Sequence, residues 1–254
     1  MAGGRDAGKR KRPGVVKKKK PAKSSRGFYL LLAIIFIGGG VWLATLASRP
    51  KAAPVQEVDV TAAAAEGYLA GNPSAPVQVL EFADYECPAC GQFSLVTEPD
   101  VRRRLIQAGL VSYRFYDFPL PQHKNSLQAS IAAACADDQK KFWEMHDALF
   151  FNQPEWSTGA TTNPGKFFQD YAKQIGLNVD DWKKCFEAQQ HLTRIYGNRK
   201  EGDRVGVSQT PTFVIGRKKV VGAIGYDEFK MYVDSAAALP PAPAPAGPKS
   251  TPKQ

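Results

Sequence analysis

Apolar positions along the middle of the chain recur at two different periods, and the switches between them mark its elements. Val77-Gln78-Val79-Leu80-Glu81-Phe82 is a short apolar run that predicts a strand, and helical spacing follows from about Gly91 to Gln107. Val111 to Phe118 alternates Val, Tyr, Phe and Tyr with polar partners and stops at Pro119, which predicts a second strand. From about Lys124 to Val205 the pattern is mostly helical. Helices are predicted over Ser126–Ala136, Phe142–Phe151, Phe167–Ile175, Asp180–Ala188 and Leu192–Arg204, with Asn152–Pro164 a loop by its Pro, Gly and Thr content. Strand patterns return at Thr212–Ile215 and Val220–Ile224 across a turn at Gly216–Lys219. A last amphipathic helix spans Tyr226–Ala237. No internal repeat is present. The order is β-α-β, a helical insertion, then β-β-α.

The two ends follow neither period. Phe28 to Ala47 is a run of twenty residues without a charge. At about 1.5 Å per residue it matches a hydrocarbon core of about 30 Å, so one N-terminal transmembrane helix is expected over 28–47. Residues 1–27 carry eleven Lys/Arg against a single acid, which accounts for the whole formal charge of +10 and leaves residues 28–254 at zero. A basic tail beside an apolar span keeps the N-terminus cytoplasmic and places the C-terminal bulk outside. The folded part therefore offers no electrostatic footprint for nucleic acid. The rival reading is a cleaved signal peptide ending at Thr45-Leu46-Ala47. Signal h-regions span about 7–15 residues, and this run is longer, which favours a retained anchor. Residues 48–70 read as a linker, 71–238 as the folded domain with its helical insertion at about 124–205, and 239–254 as a disordered Pro/Ala-rich tail. About 200 residues beyond the span suffice for one domain with its own core.

The candidate chemistry is Cys87-Pro88-Ala89-Cys90, at the junction between the first strand and the first helix. A cysteine at a helix N-terminus meets unpaired backbone N–H groups and the positive end of the dipole, both of which favour thiolate. A resolving thiol three positions on completes the parts needed for thiol–disulfide exchange. C-x-x-C alone is also half a zinc site. The three histidines (His123, His146, His191) form no compact ligand pattern with it, so no metal and no organic cofactor are expected. All four cysteines lie on the exported side, where an oxidising compartment permits disulfides.

Three segments resemble the DsbA-like branch of the thioredoxin superfamily, specifically its membrane-anchored extracytoplasmic members. They are Gly71-Asn72-Pro73 through Glu81-Phe82-Ala83-Asp84-Tyr85-Glu86-Cys87-Pro88-Ala89-Cys90, then Asp117-Phe118-Pro119-Leu120 with His123, and Gly206-Val207-Ser208-Gln209-Thr210-Pro211-Thr212-Phe213. The resemblance covers about Gly71 to Ala237. It implies an α/β thioredoxin fold with an inserted helical domain. It further implies that Cys87 is the exposed nucleophile, Cys90 the buried resolving thiol, and Pro211 a cis-proline facing them. Thr210, before that proline, would offer its backbone to an extended substrate and its hydroxyl to the Cys87 sulfur, with Pro88 and Ala89 lining the same contact. Glu81 matches an acidic position beneath the pair that relays a proton to or from Cys90, although a solvent-facing strand-edge carboxylate is the simpler role. One departure stands out: DsbA itself carries a His between its cysteines, so its redox potential does not transfer to Pro88-Ala89.

Cys135 and Cys185 fall on separate predicted helices. A structural disulfide clamping the insertion, two buried free thiols and an auxiliary redox pair are all open to them. His146 is accounted for by an amphipathic helix, and His123 by capping or packing after a proline turn. Trp143, Trp156 and Trp182 read as core or hinge aromatics. The implied function is an oxidase that introduces disulfides into reduced exported proteins and passes electrons to a DsbB- or VKOR-like membrane oxidase. A disulfide isomerase or reductase is the alternative, and Thr before the cis-proline resembles isomerases. Bacterial isomerases of this superfamily use a dimerisation module, for which the 29 residues between Ala47 and Val77 leave too little chain. A non-catalytic thioredoxin-like adaptor is the third reading.

Overall fold

The computed structural model describes residues 67–239, with Gln56–Glu57 and eight residues between Leu30 and Gly39. The latter eight are helical, and the Leu30, Ile34 and Ile37 side chains are exposed. Among the described residues no helix is long and apolar enough to cross a membrane. Most of the span expected over 28–47, the basic tail and the Pro/Ala-rich tail beyond Leu239 lie outside the described residues.

A six-stranded sheet organises the described residues from Gln56 to Leu239. Its strands are β1 (Gln56–Glu57), β2 (Tyr68–Ala70), β3 (Val77–Ala83), β4 (Val111–Asp117), β5 (Thr212–Ile215) and β6 (Lys218–Val221), in the order β1-β6-β5-β3-β4-β2. β3 and β4 are parallel and every other pair is antiparallel. β1 and β2 occupy residues expected to be linker. Their two and three residues are too few for a sequence period to register, and pairing to β6 and β4 supplies their order. The closing hairpin turns on Gly216-Arg217 alone, because Lys218 and Lys219 pair with Ile215 and Val214. β6 stops at Val221, where Gly222 takes a φ of +95° that leaves the strand region.

Helices α1 (Pro88–Val96), α2 (Glu98–Val101) and a π-helical turn (Arg102–Ile106) replace the single expected helix. The reason is Pro99, which has no N–H to give to the helix behind it and clashes with the carbonyl four residues back. Six helices form the insertion: α3 (Ser126–Asp137), α4 (Phe142–Phe151), α5 (Gln153–Trp156), α6 (Gly165–Gln174), α7 (Val179–Glu187) and α8 (Leu192–Arg204). α5 lies inside the expected loop, its Trp156 fully buried and donating its indole N–H to the Leu149 carbonyl. α9 (Tyr226–Ala237) closes the fold.

β3 is buried on both faces, as a central strand with helices on either side must be. Alternation sends Val77, Val79 and Glu81 to the face covered by Phe93 of α1 and Phe229 of α9. Leu80 and Phe82 go to the face covered by Phe118, Val205 and Val207. There α8 approaches so closely that a Cβ on Gly202 would stand 2.5 Å from the Phe118 ring. The insertion packs Trp156, Trp182 and Phe168 fully buried in a cluster that runs on to Ala83, Tyr85, Phe115 and the two active-site cysteines.

Candidate active site

The register of β3 with β5 builds the site. Phe82 pairs with Thr212, so the chain leaving β3 towards Cys87 runs beside Thr210-Pro211, which enter β5. The Thr210–Pro211 peptide bond is cis. Cys87 is the N-cap of α1 with extended backbone (φ −73°, ψ 122°), and Pro88 occupies the first turn. No side chain caps this helix end, so its free N–H groups are left to the sulfur.

Cys87 and Cys90 are unbonded thiols. Cys87 is 7 % exposed and Cys90 0 %, so Cys87 is the sulfur a substrate can reach. The Cys87 thiol donates to the Thr210 carbonyl at 3.4 Å. Its pKa falls to about 5: the hydrogen bond from Cys90 lowers it most, and Thr210 and the backbone N–H groups of Cys90 and Ala89 add to this against the cost of burial. Burial drives Cys90 the opposite way, with the Cys87 hydrogen bond and charge adding to the rise. The two thiols are therefore polarised. The Thr210 hydroxyl has no hydrogen-bond partner in this geometry and stays available to the thiolate.

Glu81 is buried beneath the pair, not at a solvent-facing edge. The Tyr113 hydroxyl donates to its Oε2 at 2.5 Å, because Tyr113 pairs with Val79 and shares the face. Burial first, and then the negative charge of Glu98, push the Glu81 pKa up, while the Tyr113 bond works against them. Glu98 shows the reverse balance. Burial would raise it, but His146 and Arg102 outweigh that and hold it below the usual carboxylate range. Arg102 Nη2 lies 2.7 Å and His146 Nε2 3.1 Å from its carboxylate oxygens. His146 lies on the buried face of the expected helix, fully buried in a polar cluster with its Nδ1 3.4 Å from the Tyr85 hydroxyl.

Several contributors carry no sequence signal. Gln153, from the expected loop, donates to the carbonyls of Tyr85 (2.7 Å) and Cys87 (3.0 Å) and so clamps the active-site turn from the insertion. Asp84 and Glu86 are buried around Cys87, and His123 meets Asp84 Oδ2 at 2.7 Å. Carboxylates three positions and one position before a cysteine have no diagnostic period, and only the folded turn brings them together.

Cys135 and Cys185 are joined by a disulfide that links α3 to α7, 50 residues apart. His191 approaches both sulfurs, all three ligand atoms lying within 4.8 Å, but sulfurs bonded to one another are not available as thiolate ligands. Trp182 beside them is buried and donates to the Ala132 carbonyl at 3.0 Å. Trp143 donates to Leu69 at 3.1 Å and carries the Arg102 guanidinium on its face.

This architecture agrees with sequence comparison. The profile of the family described as thioredoxin matches residues 64–235. The chain is a member of the thioredoxin family. It is a DsbA-like member, similar at 28% identity over 171 residues to disulfide bond formation protein D of Bacillus subtilis, covering 65% of this chain and 74% of that one. The crystal structure of oxidised BdbD from Bacillus subtilis superposes with a TM-score of 0.63 at 23% identity, covering 74% of this chain and 99% of that one. At that identity the superposition speaks for the fold. This thioredoxin-family chain is also 33% identical over 172 residues to a Na(+)/H(+) antiporter, NhaA 3 of Salinispora tropica. The match covers 67% of this chain but only 25% of the antiporter, so the chain spans about a quarter of that relative's length.

Proposed function

We propose that this chain is an extracytoplasmic thiol–disulfide oxidase that introduces disulfides into reduced exported proteins. The observation that carries this reading is the geometry of the pair: Cys87 at the uncapped head of α1 against the segment of the cis Thr210–Pro211 bond, with Cys90 fully buried, an arrangement that polarises the two thiols in opposite senses. In the oxidised protein a substrate thiolate attacks Cys87 Sγ, and the Cys87–Cys90 bond breaks. Cys90 leaves with the electron pair and takes a proton, for which Glu81 is the donor, its burial favouring the protonated form. The second substrate thiolate then attacks the substrate sulfur of the mixed disulfide. Cys87 departs as a thiolate, and its low pKa makes it a good leaving group in this step. The substrate loses two electrons and becomes a disulfide, and the Cys87–Cys90 pair gains them. Pro211 and Thr210 present the backbone against which an extended substrate lies, with Pro88 and Ala89 forming the opposite side of that contact.

A membrane oxidase of the DsbB or VKOR-like type is the partner that reoxidises the pair. The uncharged run at 28–47 is read as the anchor that holds the domain outside the membrane with the N-terminus in the cytoplasm. The exposed Leu30, Ile34 and Ile37 side chains support that reading. The antiporter name is not carried over, because the match covers a quarter of that protein. Isomerase or reductase activity is the second reading, supported by Thr210 before the cis-proline.

The test is the Cys87–Cys90 reduction potential, by equilibration of the chain with glutathione while Cys135–Cys185 is kept intact. A value of about −120 to −180 mV supports oxidative folding. A value of about −270 mV makes the chain a thioredoxin-like reductant and removes the oxidase reading.

A further inference from the structure

Asp84, Glu86 and His123 crowd the turn that carries Cys87, and the exchange just described uses none of them. Asp84 Oδ1 accepts the Glu86 N–H at 2.7 Å, and its backbone carbonyl accepts the Cys87 N–H at 3.0 Å. Its other carboxylate oxygen accepts the Leu120 N–H at 2.8 Å and lies 2.7 Å from His123 Nδ1. One buried residue therefore fastens the nucleophile's turn and an imidazole to each other. Glu86, directly before Cys87, is buried too, its oxygens accepting the N–H of Asn125 at 2.9 Å and of Thr158. Two buried carboxyl groups thus belong to the turn that carries a sulfur which has to hold negative charge, and like charges at close range disfavour ionisation. Pro88-Ala89, between the cysteines, supplies no cation.

We propose that His123, held in place by Asp84, is the counter-charge of the Cys87 thiolate and sets how oxidising the Cys87–Cys90 pair is. This rests on the oxidoreductase reading and names the residue that tunes it. His123 acts on the sulfur through space, so it is a positioning residue and not a catalytic one. Asp84 is in contact with it, and the other charges that act on it are Cys87 at the head of α1 and Glu86 from the turn after β3. The neighbouring Lys124 directs its ammonium to the Pro121 carbonyl, 2.9 Å away. Its hydrogen bond with Asp84 raises the His123 pKa most, and the charges of Asp84, Cys87 and Glu86 add to this against burial. The coupling is reciprocal: if the thiolate favours the imidazolium, the imidazolium favours the thiolate by the same factor. A disulfide carries no charge. The imidazolium consequently stabilises the reduced pair and raises its potential, and this effect fades as pH rises through the His123 pKa.

The experiment uses the full chain with Cys135–Cys185 intact. The His123 imidazole is titrated by NMR in the disulfide form and after reduction of Cys87–Cys90 with a dithiol, its resonance being the one absent from His123→Gln. The titration of Cys87 is read from thiolate ultraviolet absorbance in the wild type, His123→Gln and His123→Lys. His123 is expected to titrate at higher pH in the reduced protein. His123→Gln, which keeps a hydrogen bond for Asp84 without the charge, should lower the Cys87 acid constant about tenfold. That factor corresponds to a potential about 30 mV less oxidising, and His123→Lys should recover much of it. Identical His123 titration in both redox forms, or a His123→Gln protein whose Cys87 titrates as in the wild type, overturns the proposal while leaving the oxidase reading standing. A wild-type Cys87 that shows no thiolate near neutral pH overturns both.

Discussion

The chain holds two cysteine pairs whose surroundings differ more than their chemistry does. Cys87 and Cys90 share one turn at the head of α1, where the Cys90 hydrogen bond and backbone N–H groups favour thiolate at Cys87 while burial holds the proton on Cys90. Cys135 and Cys185 come from α3 and α7, sit among Trp182 and buried alanines, and are bonded. The first pair lies where a charge on sulfur is stabilised, so either redox form is accessible. The second joins two separate helices of the insertion, and its bond closes a loop of 50 residues. Location on the fold, not the presence of two thiols, divides exchange from cross-linking.

The largest effect that tests this division comes from exchanging the roles. Cys87→Ser should abolish oxidation of a reduced peptide, and Cys90→Ala, given a disulfide-bonded peptide, should hold one peptide sulfur on Cys87 as a mixed disulfide detectable by mass spectrometry, the other peptide sulfur leaving as a thiol. Cys135→Ala/Cys185→Ala should leave peptide oxidation intact but lower unfolding stability by about 4 kcal/mol in the chain-entropy account, read by denaturant titration. The active-site pair should respond in the opposite sense. The Cys87 pKa is depressed to about 5, so thiolate stabilisation is fully present above the unfolded thiol's pKa and lost as pH falls through about 5. The protein with Cys87–Cys90 reduced should therefore melt above its oxidised form at pH 7, and that difference should shrink towards pH 5. If oxidation of both pairs raises the melting temperature alike, the division fails.

Proton supply to Cys90 comes next in size. Glu81→Gln keeps the shape of the side chain and an acceptor for the Tyr113 hydroxyl but cannot move a proton. Opening of the Cys87–Cys90 disulfide by a peptide thiol should slow about a hundredfold at neutral pH in stopped-flow measurements. The Cys87 titration, governed by other groups, should stay in place. An unchanged opening rate would leave Glu81 a structural carboxyl only.

What could be read in advance follows from the range of each interaction. The order of the central strands and the longer helices, the C-x-x-C at a helix start and the proline at 211 are local patterns that the sequence carries, whereas the two short strands β1 and β2 and the four-residue α5 are too short to register. The Pro99 break was equally local, but the apolar spacing continues across it and conceals it. Gln153, Asp84, Glu86 and the burial of His146 were not legible, because each is defined by a partner 36 to 72 residues away. Glu81 stood between these cases. Its position on an apolar strand allowed for burial, but only its packing against Tyr113 and near Glu98 explains why its proton is held tightly.

The smallest effect lies on the seam between the sheet and the insertion. Asp117 ends β4, is fully buried, and accepts from Asn198 Nδ2 of α8 at 3.0 Å. Burial raises its pKa to about 6, against the hydrogen bonds of Asn198 and Ser130 and the charge of Arg194. Asp117 Oδ1 and Asn198 Oδ1 both lack a hydrogen-bond partner among the described residues, so a proton on Asp117 adds a donor where two acceptors are idle. A raised pKa means that the folded state binds the proton more tightly than the unfolded one. Its contribution to stability is full below the unfolded value near 4 and is lost as pH rises through about 6. Asp117→Asn supplies the donor permanently. It should stabilise the protein by about 2 kcal/mol at pH 8, do little at pH 4, and flatten the wild-type decline between them. Denaturant titrations of both proteins across that range provide the measurement. Parallel pH profiles would show that the seam tolerates the charge, and that Asp117 joins the two regions through its hydrogen bond from Asn198 without help from a proton.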